Sequence, residues 1–261
     1  MKNYRIDAIR DTLRSRSLLF PLDMVLVGAT GVGKSSTINA LFGEDVAVVG
    51  TGVDPETQYI QHYQVNNVFR IHDSAGLGDG LIADDRHKRN LTDLLLKPCT
   101  VDNEVYGFID LALVVLDGSS RDMGTTYQLL EQVVVQCIQT DRVIVSINQA
   151  DMAMKGRHWD NDNMKPEPKL LNFLEEKAIS VQKRLKETTG LNIDKFIYYS
   201  AEKKFNLDKI FQAIMQYLDK MIERAMYKKL AERRRNRKKL EEENRKKLEE
   251  ENRKKLEEEN R

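Results

Sequence analysis

The chain has little cysteine and lacks a long hydrophobic run. Its two cysteines, Cys99 and Cys137, are far apart in the sequence, which argues against a disulfide framework and fits a reducing compartment. The longest apolar stretch, residues 108–116, contains Asp110 and is too short to cross a bilayer. The first twenty residues carry charges throughout and lack the apolar segment of a secretory signal. We therefore expect a cytoplasmic protein.

A strong net charge is also lacking. The 42 Lys and Arg residues nearly balance the 41 Asp and Glu residues, so no overall field favours nucleic acid or a membrane surface. Charged residues nevertheless make up 32% of the chain, above the roughly 25% of an ordinary domain, and the excess is concentrated near the C-terminus. The 261 residues are therefore enough for one domain of ordinary size with extra segments, or for two small domains.

The tail is a repeat. From Asn236 to Glu259 the unit Asn-Arg-Lys-Lys-Leu-Glu-Glu-Glu occurs three times. A period of eight turns the leucine of each repeat by roughly 80° around a helix, so the leucines form no straight seam and a heptad coiled coil is disfavoured. Glutamates precede basic residues by four positions, as Glu241 precedes Arg245, and this spacing favours a solvated, isolated charged helix. A low-complexity tail is the alternative.

The rest of the chain alternates between apolar strands and amphipathic helices. Strands are predicted at Met24–Val27, Tyr59–Val65, Val68–His72, Leu111–Leu116, Val143–Ile147 and Phe196–Tyr199, and helices at Lys2–Leu19, Ser35–Phe42, Thr126–Cys137, Leu170–Lys186 and Leu207–Tyr227. The second and third strands are predicted to form a hairpin with Asn66-Asn67 at its turn. This alternation predicts an α/β fold with a mostly parallel sheet covered on both faces.

A glycine-rich segment between the first predicted strand and helix fits the pattern G-x-x-x-x-G-K-S. Glycines there let backbone N–H groups surround a phosphate, and the helix adds its positive N-terminal end. Lys34 would contact the β- and γ-phosphates, and the Ser35 hydroxyl would bind Mg²⁺. The predicted phosphate loop comprises Gly28, Ala29, Thr30, Gly31, Val32, Gly33, Lys34, Ser35 and the adjoining Ser36.

A second motif, D-x-x-G, runs from Asp73 to Gly76 at the end of a predicted strand. Asp73 would hold Mg²⁺ through water, and the Gly76 N–H would contact the γ-phosphate, so this loop can switch when that phosphate leaves. A threonine in the preceding loop would complete the metal site and touch the γ-phosphate. Thr51 and Thr57 are the candidates, and Thr57 is favoured because it lies next to the Tyr59 strand.

A third motif, Asn148-Gln149-Ala150-Asp151, follows the strand that ends at Ile147. The Asp151 carboxylate can accept hydrogen bonds from the guanine N1–H and exocyclic amine, which adenine cannot supply. Asn148 would tie this loop to the phosphate loop. Ser200-Ala201 follows the last predicted strand, where a backbone N–H would meet guanine O6. Together these motifs predict GTP and GDP as ligands, with Mg²⁺.

The order of these motifs over residues 24–202 resembles the G domain of translation-factor-class P-loop GTPases. The segments at 76–79, 110–115 and 148–151 resemble bacterial stand-alone Era-like GTPases, and residues 31–39 are similar to septin-like and chloroplast-import-receptor GTPases. This resemblance implies the three-layer P-loop GTPase fold. It divides the chain into an N-terminal helical segment at 1–22, a G domain at 23–228 and a charged repeat helix or low-complexity tail at 229–261.

Several positions depart from that pattern. Gln149 replaces the usual lysine that covers the guanine ring, so weaker affinity is expected, and Gly31 replaces the asparagine of potassium-activated Era-like GTPases. Leu77 replaces the glutamine that orients the attacking water in Ras-like enzymes. Arg121 is a candidate arginine finger, although a surface arginine is the more common case. Trp159 is expected to anchor the loop after Asp151 rather than bind a ligand.

These features lead to two functional hypotheses. The first is a Mg²⁺-dependent GTP-binding switch with slow intrinsic hydrolysis, in which Lys34, Thr57 and Gly76 act on the γ-phosphate. Stimulation would come from homodimerisation across the nucleotide face or from an unidentified protein effector. The second is a nucleotide-gated assembly module with little hydrolysis, suggested by Leu77 and the charged tail. The sequence contains no clear signal for nucleic acid or membrane binding.

Overall fold

The computed structural model divides the chain into two compact units, Met1–Met215 and Gln216–Arg261. It describes residues 4–16, 18, 21–43, 60–64, 68–74, 81–101, 104–120, 124–191, 193 and 196–219. Side chains are described at these positions except 60–64, 81–83, 101, 104–105 and 125. The second unit is described only at the helical residues 216–219, so the repeat at 236–261 and the Asn66-Asn67 turn lie outside the described residues.

Helices and strands alternate through the first unit. The helices are α1 (Tyr4–Ser15), α2 (Lys34–Phe42), α3 (Leu81–Leu96), α4 (Gly124–Leu129), α5 (Val135–Cys137), α6 (Pro168–Thr189) and α7 (residues 207–219). The strands are β1 (Leu22–Val27), β2 (Ile60–Gln64), β3 (Phe69–Ser74), β4 (Pro98–Val101), β5 (Glu104–Gly107), β6 (Leu111–Asp117), β7 (Val143–Asn148), β8 (Trp159–Asp160), β9 (Lys165–Pro166) and β10 (Ile197–Tyr198). Shorter turns are a π-helical turn at Leu130–Val134 and 3-10 turns at Thr140–Arg142 and Ala153–Gly156.

The main sheet of the described residues has the strand order β10-β7-β6-β1-β3-β2. Five of these strands run parallel, and β2 pairs antiparallel with β3 at the edge. This arrangement confirms the predicted α/β fold with a mostly parallel sheet and the predicted hairpin. Because the strands are parallel, the loops after β1, β3, β7 and β10 meet at one end of the sheet, where the predicted motifs lie.

The continuous apolar runs of β1 and β6 are buried along their length, as expected for strands covered on both faces. Val25 and Val27 of β1 join a core cluster with Val114 of β6, and Leu130 and Val181 cover that cluster from the helical side. Among the described residues, no helix is long and apolar enough to span a bilayer.

Helix α1 packs onto the first unit through the apolar face that the sequence predicted. Ile9 and Leu13 are fully buried. Arg5 donates a 2.9 Å hydrogen bond to the carbonyl oxygen of Leu41, at the end of α2, and also pairs with Asp208 of α7 at 2.5 Å. The helix is therefore tied to two other helices of the same unit.

A network of buried charges lies at the other end of the sheet, where β1, β3 and β6 begin. The Asp23 carboxylate accepts two hydrogen bonds from Arg70, at 2.8 and 2.7 Å, and lies 2.7 Å from Nε2 of His72. These partners outweigh burial and lower the pKa of Asp23. Asp110 accepts a hydrogen bond from the Asp23 backbone N–H, and burial raises the pKa of Asp110 to about 6.

Three elements were not predicted from the sequence: α3, the β4–β5 hairpin and the β8–β9 hairpin. Among the α3 side chains that the structure describes, the buried leucines Leu91, Leu94 and Leu95 lie in the last turns, and residues 84–89 are mostly charged. The strands of both hairpins have only two to four residues, which is too short for a clear alternation. The predicted helix at Thr126–Cys137 is present but interrupted by the π-helical turn.

Candidate functional site

The glycine-rich segment forms the connection between β1 and α2, as the sequence predicted. Gly31 and Gly33 have left-handed φ angles of 81° and 84°, which disfavour side chains at these positions. A Cβ atom at Gly28 would lie 2.5 Å from the carbonyl oxygen of Val115, and one at Gly33 would lie 2.4 Å from the Asn148 amide nitrogen. The loop therefore depends on glycine for both its shape and its close contacts.

Lys34 lies over this loop rather than in solvent. Its Nζ donates hydrogen bonds of 3.1 Å to the carbonyl oxygens of Gly28 and Ala29. The side chain is buried, whereas Ser35 and Ser36 beside it are exposed. The Lys34 ammonium group is thus held at the loop beside two solvent-facing residues, where it can contact a bound anion.

A hydroxyl and a carboxylate meet beside the loop. Ser35 Oγ donates a 3.0 Å hydrogen bond to Asp73 Oδ2. The other oxygen, Asp73 Oδ1, is buried and has no hydrogen-bond partner among the described residues. Burial raises the pKa of Asp73, while the charge of Lys34 and the bond from Ser35 oppose the rise. Oxygen ligands of this kind suit Mg²⁺, so the two side chains fit the predicted metal site.

Several predicted site residues lie outside the described residues. They are the threonine candidates Thr51 and Thr57, Gly76 and Leu77 after Asp73, and Arg121. Their roles stay predictions.

Asn148 joins the two motifs that the sequence places far apart. Its Nδ2 donates a 2.9 Å hydrogen bond to the carbonyl oxygen of Val32, and its Oδ1 accepts a 3.0 Å bond from the backbone N–H of Ala201. The side chain is buried. One amide therefore connects the phosphate loop to the loops after β7 and β10.

Asp151 carries a carboxylate oxygen with an unmet hydrogen-bonding capacity. The residue is 5% exposed, and Oδ1 has no hydrogen-bond partner among the described residues. Such a buried acceptor is costly unless a ligand supplies a donor. Ala150 beside it is fully buried, and its backbone N–H donates to the carbonyl oxygen of Tyr199 at 3.0 Å, which fixes the loop against β10.

Gln149 contacts the phosphate loop. It has a left-handed φ of 59°, and its Nε2 donates a 2.8 Å hydrogen bond to the carbonyl oxygen of Gly31. The sequence predicted that Gln149 would only partly replace the lysine that usually covers guanine, with a weaker affinity. The structure adds a polar contact that the sequence did not predict.

The backbone N–H groups of Ser200 and Ala201 already have protein partners. The Ser200 N–H donates to the carbonyl oxygen of Phe205 at 3.1 Å, and the Ala201 N–H donates to Asn148 Oδ1. Both residues are buried, and Tyr199 separates them from the end of β10. Their position beside Asn148 agrees with the predicted loop, and their role toward guanine O6 stays a prediction.

Comparison with known proteins agrees with this arrangement. Residues 23–149 match the family model described as 50S ribosome-binding GTPase. The matched residues include the phosphate loop and the first two residues of the Asn148–Asp151 motif. Both segments lie on a sheet of the predicted topology. Over these residues the chain matches a P-loop GTPase G domain. The resemblance inferred from the sequence motifs is thereby confirmed.

The G domain also resembles individual proteins. The chain is 32% identical over 139 residues to the tRNA modification GTPase MnmE of Alkaliphilus oremlandii, covering 51% of this chain and 26% of that protein. It therefore spans about a quarter of that relative. The structure of Toc33 from Arabidopsis thaliana with GDP and Mg²⁺ matches with a TM-score of 0.54 at 14% identity, covering 82% of this chain and 90% of that one. A GTP-binding protein from Sulfolobus solfataricus with GDP matches with a TM-score of 0.50 at 20% identity, covering 84% and 58%.

Trp159 anchors the part of the G domain that follows Asp151. It clusters with Ala150 and with Leu170 and Leu174 of α6, and its ring contacts Phe205 edge-on at 5.5 Å between centroids. The sequence prediction of a structural role is confirmed.

The structure also reveals a lysine that the sequence did not single out. Lys177 of α6 donates hydrogen bonds to the carbonyl oxygens of Gly118 and Ser120, at 2.5 and 2.7 Å. Burial lowers the pKa of Lys177, although Asp117 opposes the change. The Gly118 N–H in turn donates to the carbonyl oxygen of Asn148 at 2.8 Å. Lys177 therefore holds the loop that contacts Asn148 of the guanine-recognition motif. No local sequence pattern indicates that role.

Proposed function

We propose that this protein is a Mg²⁺-dependent GTP-binding switch that hydrolyses GTP slowly to GDP and phosphate. The observation that carries the proposal is the buried, unpartnered Oδ1 of Asp151 on a loop that Asn148 joins to the phosphate loop. A base that supplies hydrogen-bond donors to Asp151 would thus be connected to phosphates beside Lys34. The G domain supports binding of a guanine nucleotide, and the two solved neighbours above hold GDP.

Selectivity for guanine follows from the chemistry of Asp151. Guanine presents two donors, the N1–H and the exocyclic amine, to one carboxylate. Adenine presents an acceptor at N1. The Asp151 carboxylate would then have no donor and would be opposed by the lone pair of that nitrogen. We therefore expect strong discrimination against ATP.

The metal would lie beside Ser35 and Asp73. The serine hydroxyl would bind Mg²⁺ directly once it releases Asp73, and Asp73 would hold the metal's water. Thr57 is proposed as the further ligand from the loop before β2, with Thr51 as the alternative. Bound Mg²⁺ would neutralise charge on the β- and γ-phosphates.

Hydrolysis is proposed to be slow because the residue after the D-x-x-G motif is Leu77. A leucine cannot orient water through a hydrogen bond, whereas Lys34 and the Gly76 N–H can still stabilise charge on the γ-phosphate. Faster turnover would need a partner, and we propose a second copy across the nucleotide face or a protein effector. Arg121 is a candidate group to act there.

The rival proposal is a nucleotide-gated assembly module that barely hydrolyses GTP. Leu77 and the charged repeat at 229–261 favour it, because the repeat offers an arm without a core of its own. In both proposals residues 23–228 form the nucleotide-dependent part of a cytoplasmic protein. The free thiols of Cys99 and Cys137 support a reducing compartment.

Nucleotide specificity is tested by titrating the full chain with GDP, GTP and ATP in Mg²⁺. We expect GTP and GDP to bind at least a hundredfold more tightly than ATP. Asp151→Asn should weaken GDP and strengthen xanthosine diphosphate, because the asparagine amide donates where xanthine carries an oxygen. The exposed Asp162 provides the control Asp162→Asn, which should change neither. Equal binding of ATP, or unchanged GDP affinity in Asp151→Asn, would overturn the proposal.

Turnover measured against protein concentration separates the two functions. A rate per molecule that rises with concentration supports hydrolysis assisted by a second copy, and a constant slow rate supports an intrinsic switch. Undetectable phosphate release at every concentration, with intact GTP binding, supports the assembly module instead.

A further inference from the structure

A buried chain of hydroxyl groups connects the base side of the site to the phosphate side. Tyr199 is fully buried and immediately precedes Ser200. Its hydroxyl lies 2.7 Å from Oγ1 of Thr37 on α2, and Thr37 Oγ1 lies 2.7 Å from the carbonyl oxygen of Gly33. The Tyr199 hydroxyl also forms a hydrogen bond with the side chain of Ser146 on β7. Residues 162 positions apart in the chain are thus linked.

The direction of these bonds follows from the number of protons. A threonine hydroxyl has one proton, and Thr37 gives it to the Gly33 carbonyl oxygen, which can only accept. Tyr199 must therefore donate to Thr37. Burial raises the pKa of Tyr199, so its hydroxyl keeps this proton throughout the physiological range.

The contact at Gly33 controls an N–H group of the phosphate loop. The C=O of Gly33 and the N–H of Lys34 belong to one planar trans peptide, so they point in opposite directions. Thr37 holds that carbonyl toward α2 through Oγ1 and through its own backbone N–H at 2.9 Å. The Lys34 N–H is consequently turned away from α2, at the end where the phosphate loop joins the helix. Asn148 acts likewise on the preceding peptide through the Val32 carbonyl.

We propose that Tyr199 is a positioning residue that couples binding of the nucleotide base to the direction of the Lys34 N–H bond. A base bound beside Ser200 and Ala201 would fix the segment that carries Tyr199. Tyr199 would then fix Thr37, and Thr37 would fix the peptide that presents the Lys34 N–H to the β-phosphate. This inference rests on the proposed function, because it needs a nucleotide that occupies both sides of the site.

The hydroxyl and the ring of Tyr199 make separable contributions. A tyrosine that only fills the core would act through its ring, and Tyr199→Phe keeps that ring. Loss of the hydroxyl leaves the proton of Ser146 near another acceptor, since Ser146 Oγ lies 3.3 Å from the carbonyl oxygen of Val114. Tyr199→Phe is therefore expected to fold.

The test compares GDP with GMP, which lacks the β-phosphate. Their affinities are measured by competition against a fluorescent GDP analogue, using full-length wild type and Tyr199→Phe. We expect GDP to bind about three- to tenfold more weakly to the variant, the range for one hydrogen bond. GMP should change less than twofold. Tyr198→Phe, at the neighbouring half-buried tyrosine, is the matched control and should leave both affinities unchanged.

Thr37 variants test the route of the coupling. Thr37→Val should lower the GDP affinity, and adding Tyr199→Phe to it should have little further effect, because both changes interrupt one chain. Thr37→Ser keeps the hydroxyl and should retain the wild-type ratio of GDP to GMP affinity. Equal weakening of GDP and GMP in Tyr199→Phe, or additive losses in the double variant, would overturn the coupling. If wild type binds neither nucleotide, the proposed function itself fails.

Discussion

The amide Nδ2 of Asn148 donates a 2.9 Å hydrogen bond to the carbonyl oxygen of Val32. The two residues are 116 positions apart in the chain, and the bond crosses from the base motif to the phosphate loop. Such hydrogen bonds between loops hold the parts of the candidate nucleotide site in position.

Asn148→Ala should damage both binding and folding. It leaves the carbonyl of Val32 and the N–H of Ala201 without their present partner, and each such buried group costs about 1–3 kcal/mol. We expect GDP affinity to fall by at least tenfold and the melting temperature to fall by several degrees, measured by titration and by thermal unfolding. The exposed Asn163 provides the control, and Asn163→Ala should change neither quantity appreciably. A normal GDP affinity in Asn148→Ala would contradict the bridging role.

Gln149→Lys should raise GDP affinity by about two- to tenfold. A lysine can keep a donor toward the Gly31 carbonyl, and a charged donor forms the stronger hydrogen bond. It also brings a positive charge to the edge of the phosphate site. Gln136→Lys adds the same charge at an exposed position and should have no effect on a titration with GDP. Unchanged binding in Gln149→Lys would contradict this expectation, and weaker binding would show that the amide is the better partner at this position.

Trp159 should report nucleotide binding through its fluorescence. It is the sole tryptophan of the chain and clusters with Ala150, next to Asp151. Ordering of the base loop by GDP should change the environment of the indole, so its emission should shift or change intensity in a saturable titration. Trp159→Phe should abolish the signal while a label-free titration still detects binding. A signal that persists in the variant would have to come from tyrosine.

Asp110→Asn should remove one part of the pH dependence of stability. Burial raises the pKa of Asp110 to about 6, so between about pH 4 and pH 6 the folded state holds a proton that the unfolded state has released. The stabilisation of the folded state by Asp110 is therefore fully present at low pH and is lost as the pH rises through about 6. Asparagine keeps an oxygen acceptor for the Asp23 N–H and never ionises.

The free energy of unfolding measures this effect when urea titrations are run at pH 5 and pH 7.5. At each pH, the free energy of unfolding of wild type is subtracted from that of Asp110→Asn. This difference should be more favourable to the variant at pH 7.5 than at pH 5 by on the order of 1–3 kcal/mol. The exposed Asp162 serves as the reference, since Asp162→Asn should give the same difference at both pH values. A pH-independent difference for Asp110→Asn would mean that its carboxyl ionises normally in the folded protein.

The sequence predicted the sheet and the motifs well, for physical reasons. Strands β1, β6 and β7 are continuous apolar runs, which parallel, fully covered strands require. The phosphate loop is marked by Gly28, Gly33 and Lys34, whose spacing reflects the approach of backbone to phosphate. Helix α3 was missed, and the buried leucines that the structure describes in it lie near its C-terminal end. Its charged first half hides the helical periodicity.

The contacts between loops were harder to predict. The sequence places Tyr199 in a strand, but nothing near it in the chain indicates that its hydroxyl meets Thr37. Lys177 has the appearance of an ordinary charged helix residue, and only the fold brings it to the Gly118 carbonyl. A motif identifies residues that touch a ligand directly. Residues that act through a neighbour become visible once the topology is known.

The attachment of α1 sets a lower limit on any fragment intended to preserve the domain. Arg5 donates a hydrogen bond to the carbonyl oxygen of Leu41 near the end of α2 and pairs with Asp208 of α7, and Ile9 of the same helix is buried. A fragment that begins at residue 22 would expose the apolar surface beneath α1 and leave the end of α2 without its cation. Proteolysis or truncation should therefore spare residues from Tyr4 onward if the nucleotide site is to keep its support.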